Sequence, residues 1–364
     1  MKNLLLAHAR TVVSPANQHV PGIKTLTAFF DIYRTGVIPI DRTNTFRTPV
    51  RSTMLFPMPT FRIHKGTYED ACNARATEII QRAETLDCPI FSFWSGGIDS
   101  TCVLVSLLKN STQQQRERIT VLMSEDSIAE NPNFYAEHIH GKVRHDSAGM
   151  FPYMLGSERI FVNGEHNDQL FGSDIVAAFI NRFGAAIIHQ PFARDTILTF
   201  FTERTKDVAM AVFYLELFER LKAVAPVPIE TNYDFFWWIN FATKWQSVYM
   251  RTLTYTAPRN LHLINKTYLD KYYAPFFNTE EFQLWSMNNP DKKIKDTWKT
   301  YKWAAKELIY EYTKDAEYRD NKIKRGSLVM LTDQQKPSPF ITDTFQFPQT
   351  LAPEEYCDPE NDFV

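Results

Sequence analysis

Between residues 67 and 163 the apolar and polar positions change period repeatedly, and each change predicts an element. Thr67-Tyr68-Glu69-Asp70 sets a hydroxyl three residues before a carboxylate, the pattern of a capped helix start. Ala71, Ala74, Ile79, Ala83 and Leu86 continue it as an apolar stripe, which Asp87-Cys88-Pro89 ends. Ile90-Phe91-Ser92-Phe93-Trp94 then reads as a short buried strand, followed directly by Ser95-Gly96-Gly97 and a helix through Leu108. Ile119-Thr120-Val121-Leu122-Met123 and Arg159-Ile160-Phe161-Val162-Asn163 read as two further strands. Short apolar strands alternating with helices predict an α/β fold whose parallel sheet is covered on both faces.

The flanks carry other patterns. Residues 1–66 hold scattered prolines and β-like pieces such as Ser52-Thr53-Met54-Leu55-Phe56, which predicts an irregular N-terminal segment packed on the main domain. After about residue 192, long aromatic and aliphatic patterns over 195–224, 233–255 and 297–314 predict a mostly helical C-terminal half. Within it, Phe235-Phe236-Trp237-Trp238 with Phe241 and Trp245 reads as a helix packed on both faces, a stacking platform being the alternative. Beyond Arg325 prolines and polar residues grow denser, and Glu354, Glu355, Asp358, Glu360 and Asp362 make the end acidic. The expected partition is therefore a segment 1–66, a main domain 67–325 and a tail 326–364.

Composition narrows the class. Across 364 residues, 44% hydrophobic and 23% charged is the balance of a chain with a core, which excludes a disordered one. A net charge of −2 provides no overall field for nucleic acid or a membrane surface, although residues 292–325 carry eleven Lys/Arg against six Asp/Glu. No apolar run approaches the roughly 18–20 residues of a membrane helix, and the apolar stretch after Lys2 is too short for a signal peptide. Cys72, Cys88, Cys102 and Cys357 show no metal-ligand spacing, and His138, His140, His145 and His166 read as ordinary histidines rather than a zinc set. The expectation is a reduced, cytoplasmic protein.

Ser95-Gly96-Gly97-Ile98-Asp99-Ser100 carries the chemistry, between a strand and its helix. Two glycines allow a tight turn in which successive N–H groups converge on an anion, and the helix start adds unsatisfied N–H groups and a positive dipole end. Ser95 and Ser100 bring hydroxyl donors, and the Asp99 carboxylate can hold a divalent cation against phosphate oxygens. Such a loop suits a pyrophosphate; a Gly-Gly helix cap without a ligand is the alternative. No Walker A sequence occurs in the chain.

The hexapeptide matches S-G-G-x-D-S and so resembles the PP-loop ATP pyrophosphatases, a superfamily with a Rossmann-like sheet that splits ATP between its α- and β-phosphates. Some 70 residues on, Asn163-Gly164-Glu165-His166-Asn167-Asp168-Gln169-Leu170-Phe171-Gly172 is similar to the S-G-E-G-x-D-E-x-F-G-G segment of the asparagine-synthetase family. Pro275-Phe276-Phe277-Asn278 resembles that family's R-x-P-F-L-D, and Lys299-Thr300-Tyr301-Lys302-Trp303-Ala304-Ala305 its K-x-x-L-R-x-A helix. The chain departs from the pattern as well. His166 and Asn167 stand where the family has Gly and Ala, Gln169 where it has Glu, and Ser173-Asp174 where it has Gly-Tyr. The Arg before Pro-Phe is missing and Asn278 replaces Asp, which leaves the nucleotide chemistry in place and the carboxylate substrate open.

The resemblance implies a PP-loop type of sheet and an ATP-dependent, AMP-forming amide ligase that adenylates a carboxylate and passes the acyl group to ammonia or an amine. Ser95, Gly96, Gly97, Asp99, Ser100 and Gly164 would hold ATP, with Met123 beside the adenine and Mg²⁺ on Asp99 and Asp168. Glu165 would orient or deprotonate the amine, and Lys299 would stabilise the oxyanion and departing phosphates, Lys302 being the other candidate lysine. Glutamine-using members begin with a glutaminase whose cysteine is residue 2; here position 2 is Lys2. The expectation is nitrogen from free ammonia, a separate glutaminase or an amine-bearing macromolecule, with no membrane partner and nucleic acid disfavoured but open. The alternatives are an NAD-synthetase-like or nucleobase-modifying PP-loop enzyme, and a non-catalytic nucleotide-binding subunit.

Overall fold

Thr67 caps its helix as expected: its hydroxyl accepts from the Asp70 N–H while the Asp70 carboxylate accepts from the Thr67 N–H, and the helix runs Tyr68–Thr85. The computed structural model describes residues 1–7, 9–34, 37–323, 340–342 and 352–364. Its strands are β1 (Leu4–Ala7), β2 (Ile90–Phe93), β3 (Ile119–Met123), β4 (Arg144–Ser147), β5 (Ile160–Asn163), β6 (Tyr273–Pro275) and β7 (Phe340–Thr342). The chain divides into two compact units, one of Arg62–Asn167 with Tyr255–Lys336, the other of Met1–Phe61 with Asp168–Thr254 and Pro337–Val364.

The first unit is α/β. Its five strands pair in the order β4-β3-β2-β5-β6, every pair parallel. The chain runs outward from β2 through β3 to β4, then returns to build β5 and β6 on the other side of β2. That is the doubly wound order of Rossmann-like sheets, and it reverses between β2 and β5, where the strand C-termini leave a crevice for a ligand. Ile90, Phe93, Val121, Leu122, Ile160 and Val162 are buried, as strands covered on both faces must be. The helix Ile98–Lys109 after β2 is buried from Ser100 to Leu108, because its apolar residues extend all round. β4 and β6 lack the apolar pattern of the inner strands. Arg144-His145-Asp146-Ser147 is exposed throughout, and β6 ends on Pro275, which an edge strand tolerates.

The second unit is helical, apart from β1 paired antiparallel with β7. Its helices include Ile23–Tyr33, Asp174–Phe183, Arg194–Thr205, Val208–Ala223, Asn232–Thr243 and Trp245–Arg251. The aromatic run at 235–245 is core: Phe235, Phe236, Trp237, Trp238, Phe241 and Trp245 are all buried, which excludes an exposed stacking platform. Among the described residues, no helix is long and apolar enough to cross a membrane.

The division differs from the expected partition. Residues 1–61 are less irregular than their prolines suggest, because Ile23, Leu26, Phe29, Ile32 and Tyr33 bury one face of an eleven-residue helix. They group with 168–254, which had been expected inside the main domain. The β-like piece at 52–56 forms only a bridge at Ser52. Within the expected tail 326–364, residues 326–339 and 343–351 lie outside the described residues.

Candidate functional site

The loop after β2 is shaped by its glycines and serines. Gly96 has φ +76°, and a side chain there would start 2.4 Å from the Ser127 carbonyl oxygen, so neither backbone nor space admits another residue. Gly97 is the N-cap of the helix Ile98–Lys109 and no side chain caps it, whereas Thr67, Ser124 and Thr231 each cap theirs. The helix start therefore lies directly after the C-terminal end of β2, with no side-chain cap from its N-cap residue. Ser100 Oγ accepts from the Ser95 N–H at 3.0 Å and donates to the Gly97 carbonyl at 3.2 Å, which folds the loop on itself.

The segment after β5 meets this loop across the reversal of strand order. A Cβ on Gly164 would lie 3.0 Å from the Asp99 carbonyl carbon and 3.1 Å from the Ser100 nitrogen, so the two backbones touch there. Asn163 anchors the turn, accepting from the Glu165 N–H at 3.1 Å and donating to the Tyr273 hydroxyl at 3.1 Å. Glu165 is half-buried beside it. His166 and Ser173 replace glycines of the family pattern, yet have φ of +78° and +66°. The backbone keeps the left-handed shape that favours glycine at both positions.

Of the two candidate lysines, the structure brings Lys302 to the loop. Its side chain is 0% exposed, and Nζ lies 2.5 Å from both carboxylate oxygens of Asp99. Lys299 is exposed in the 3-10 turn Trp298–Thr300, with Nζ 3.4 Å from Asn321 Oδ1. The reason is a backbone turn. Lys302 has φ +60°, donates its N–H to the Lys293 carbonyl and starts the helix Trp303–Thr313, so the helical pattern over 297–314 is interrupted there. That helix packs on Ile98–Lys109.

Other groups near the loop carry no signal in sequence. Lys322 pairs with Glu130 at 3.0 Å, and the buried Tyr318 hydroxyl donates to the Gly96 carbonyl at 3.4 Å. Lys306 donates to the Lys299 carbonyl, and burial lowers its pKa to about 8. Asn167, fully buried, donates to Asp99 Oδ1 at 2.7 Å and accepts from the Tyr68 hydroxyl at 2.8 Å.

Met123 is buried at the C-terminal end of β3, before Ser124, whose hydroxyl caps the helix Glu125–Glu130. Asp99 and Asp168 fall in different units; within its own unit, the Asp168 carbonyl accepts from Asn240 at 3.2 Å. Among the described residues, no group of three or more His, Cys, Asp or Glu could hold a metal. Magnesium held mainly by phosphate oxygens and water needs only one or two carboxylates, and the hard oxygens of Asp99 fit it once Lys302 yields one of them. All four cysteines are free and buried, Cys102 among them.

No protein-family model matches the chain, and no curated protein matches it.

Proposed function

We propose that the chain is an ATP-dependent, AMP-forming amide ligase of the asparagine-synthetase kind, on a parallel sheet of the PP-loop type. In the overall reaction a carboxylate, ATP and ammonia or an amine become an amide, AMP and pyrophosphate. One observation carries this reading: the loop 95–100 and the turn at Gly164-Glu165 touch at the reversal of strand order, with the buried Lys302 ammonium on Asp99. The glycine-like backbone at His166 supports it, since the loop shape persists where the residue type does not.

ATP bound there, with Mg²⁺, would supply an activated phosphorus and neutralise the charge of the leaving pyrophosphate. The chain's own residues position and compensate charge. The N–H groups at the start of Ile98–Lys109, with Ser95 and Ser100, would hold the pyrophosphate, and Met123 would lie beside the base. Asp99 would hold the cation. Lys302 would pass from Asp99 to the phosphates, a cation already stripped of water and aimed at the loop. The half-buried Glu165 carboxylate would orient the attacking amine or take its proton.

The test uses purified protein, ATP labelled at the α-phosphate, a mixture of small carboxylates, and ammonium or primary amines. Labelled AMP that depends on a carboxylate is the expected product. Labelled ADP would overturn the reading, and nucleotide binding without turnover on any mixture would replace it with a non-catalytic subunit.

A further inference from the structure

Asn167 stands where the family pattern has Ala, and its amide is built into the sheet unit at both ends. Nδ2 donates to Asp99 Oδ1 at 2.7 Å, and Oδ1 accepts from the Tyr68 hydroxyl at 2.8 Å. The orientation is forced by chemistry. A carboxylate paired with an ammonium only accepts, so the NH₂ end faces Asp99, the carbonyl end faces Tyr68, and Tyr68 must donate. Burial of Tyr68 raises its pKa well above the usual value and keeps that proton in place.

Tyr68 is itself held. It is the first residue of the capped helix Tyr68–Thr85, and its ring packs against Trp285 at 4.8 Å, Phe282 at 5.7 Å and Phe277 at 6.2 Å between centroids. The hydroxyl therefore has a fixed origin in the aromatic core, and Asn167 transmits that position to Asp99. Lys302 reaches both oxygens of Asp99, whereas Asn167 engages Oδ1 alone. With Oδ1 held by the Asn167 amide, rotation of the carboxylate is restrained.

We propose that Asn167, held by Tyr68, is a positioning residue that fixes how Asp99 presents its carboxylate to a divalent cation. This rests on the nucleotide site proposed above. It sets a chain-specific requirement: the alanine of the family pattern would remove the amide hydrogen bond to Asp99.

The experiment measures Mn²⁺ binding in the presence of α,β-methylene-ATP, from the free Mn²⁺ signal in electron paramagnetic resonance, for wild type, Asn167→Ala and Tyr68→Phe. Asn167→Ala should weaken Mn²⁺ binding about tenfold, the scale of one hydrogen bond to a charged group. Tyr68→Phe should weaken it about threefold, because it loosens the amide without removing it. Affinity for the nucleotide in EDTA should be unchanged in both, which separates a role at the cation from general damage to the fold. Mn²⁺ affinity within twofold of wild type in both variants would overturn the inference while the nucleotide site stands. Wild-type protein that binds neither the nucleotide nor Mn²⁺ would remove the site and the inference together. If Asn167→Ala does not fold, Tyr68→Phe, which removes one oxygen and keeps the ring, decides the matter.

Discussion

In the helical unit, the buried Asp41 carboxylate accepts from the N–H groups of Thr43, Thr45 and Phe46, and the buried Arg42 guanidinium donates to the carbonyls of Phe56, Pro57 and Phe241. In the sheet unit, the side chains of Lys302 and Asn167 donate to Asp99, and Tyr68 donates to Asn167. The difference separates two uses of buried charge. A charge satisfied by backbone staples a loop, so Arg42, whose pKa burial lowers to about 9, is structural. A charge satisfied by another charged side chain can exchange that partner for a phosphate or a metal ion, at little cost to the fold around it.

The largest effect should come from breaking the exchangeable pair. Lys302→Met is expected to lower AMP formation from labelled ATP about a hundredfold or more, as for loss of a preorganised donor in a dry site. The staple should respond in the other observable. Arg42→Met should cost roughly 2–4 kcal/mol of stability in denaturant titration, because three carbonyls lose their donor, with turnover per folded molecule unchanged. If Arg42→Met abolishes turnover in folded protein, the contrast between the units fails.

Gly164→Ala should fall between these. Its Cβ would press on the backbone of Asp99 and Ser100, costing about 1–3 kcal/mol and weakening nucleotide binding together. The pH dependence of the sheet unit offers a smaller effect. Folding lowers the Lys306 pKa from 10.5 to about 8, so between those pH values the unfolded chain binds more protons. Lys306 should therefore make the protein more stable as pH rises from about 8 to 10.5, and Lys306→Met should remove that rise from melting curves. The smallest effect is expected from Lys299→Ala, whose exposed side chain leaves turnover within about twofold of wild type. A large loss there would return the role to Lys299 and take it from Lys302.

The inner part of the sheet unit was legible because its determinants are local. The capping box at Thr67, the apolar strands β2, β3 and β5, and Ser95-Gly96-Gly97 each act within a few residues of chain, through hydrogen bonds and φ preferences that residue type sets directly. β4 and β6 were not legible, since one is polar and exposed and the other ends in proline; pairing to β3 and β5 makes them strands. The helix Ile23–Tyr33 was obscured by the prolines around it, although its buried face repeats at helical spacing.

By itself, then, the sequence determined the α/β character of the sheet unit and the position of the loop at 95–100. Tertiary structure decided which lysine meets Asp99. Lys299 and Lys302 are equivalent as residue types, and only the left-handed turn at Lys302, held by the Lys293 carbonyl, sends one ammonium into the interior and leaves the other in solvent. It also decided what Asn167 does. Nothing in the residue type of Asn167 shows that Tyr68 and Asp99, far from it in sequence, are folded onto the two ends of its amide. Such choices escape sequence reasoning because a side chain's partner is set by where the backbone delivers it, and that delivery depends on packing over the whole unit.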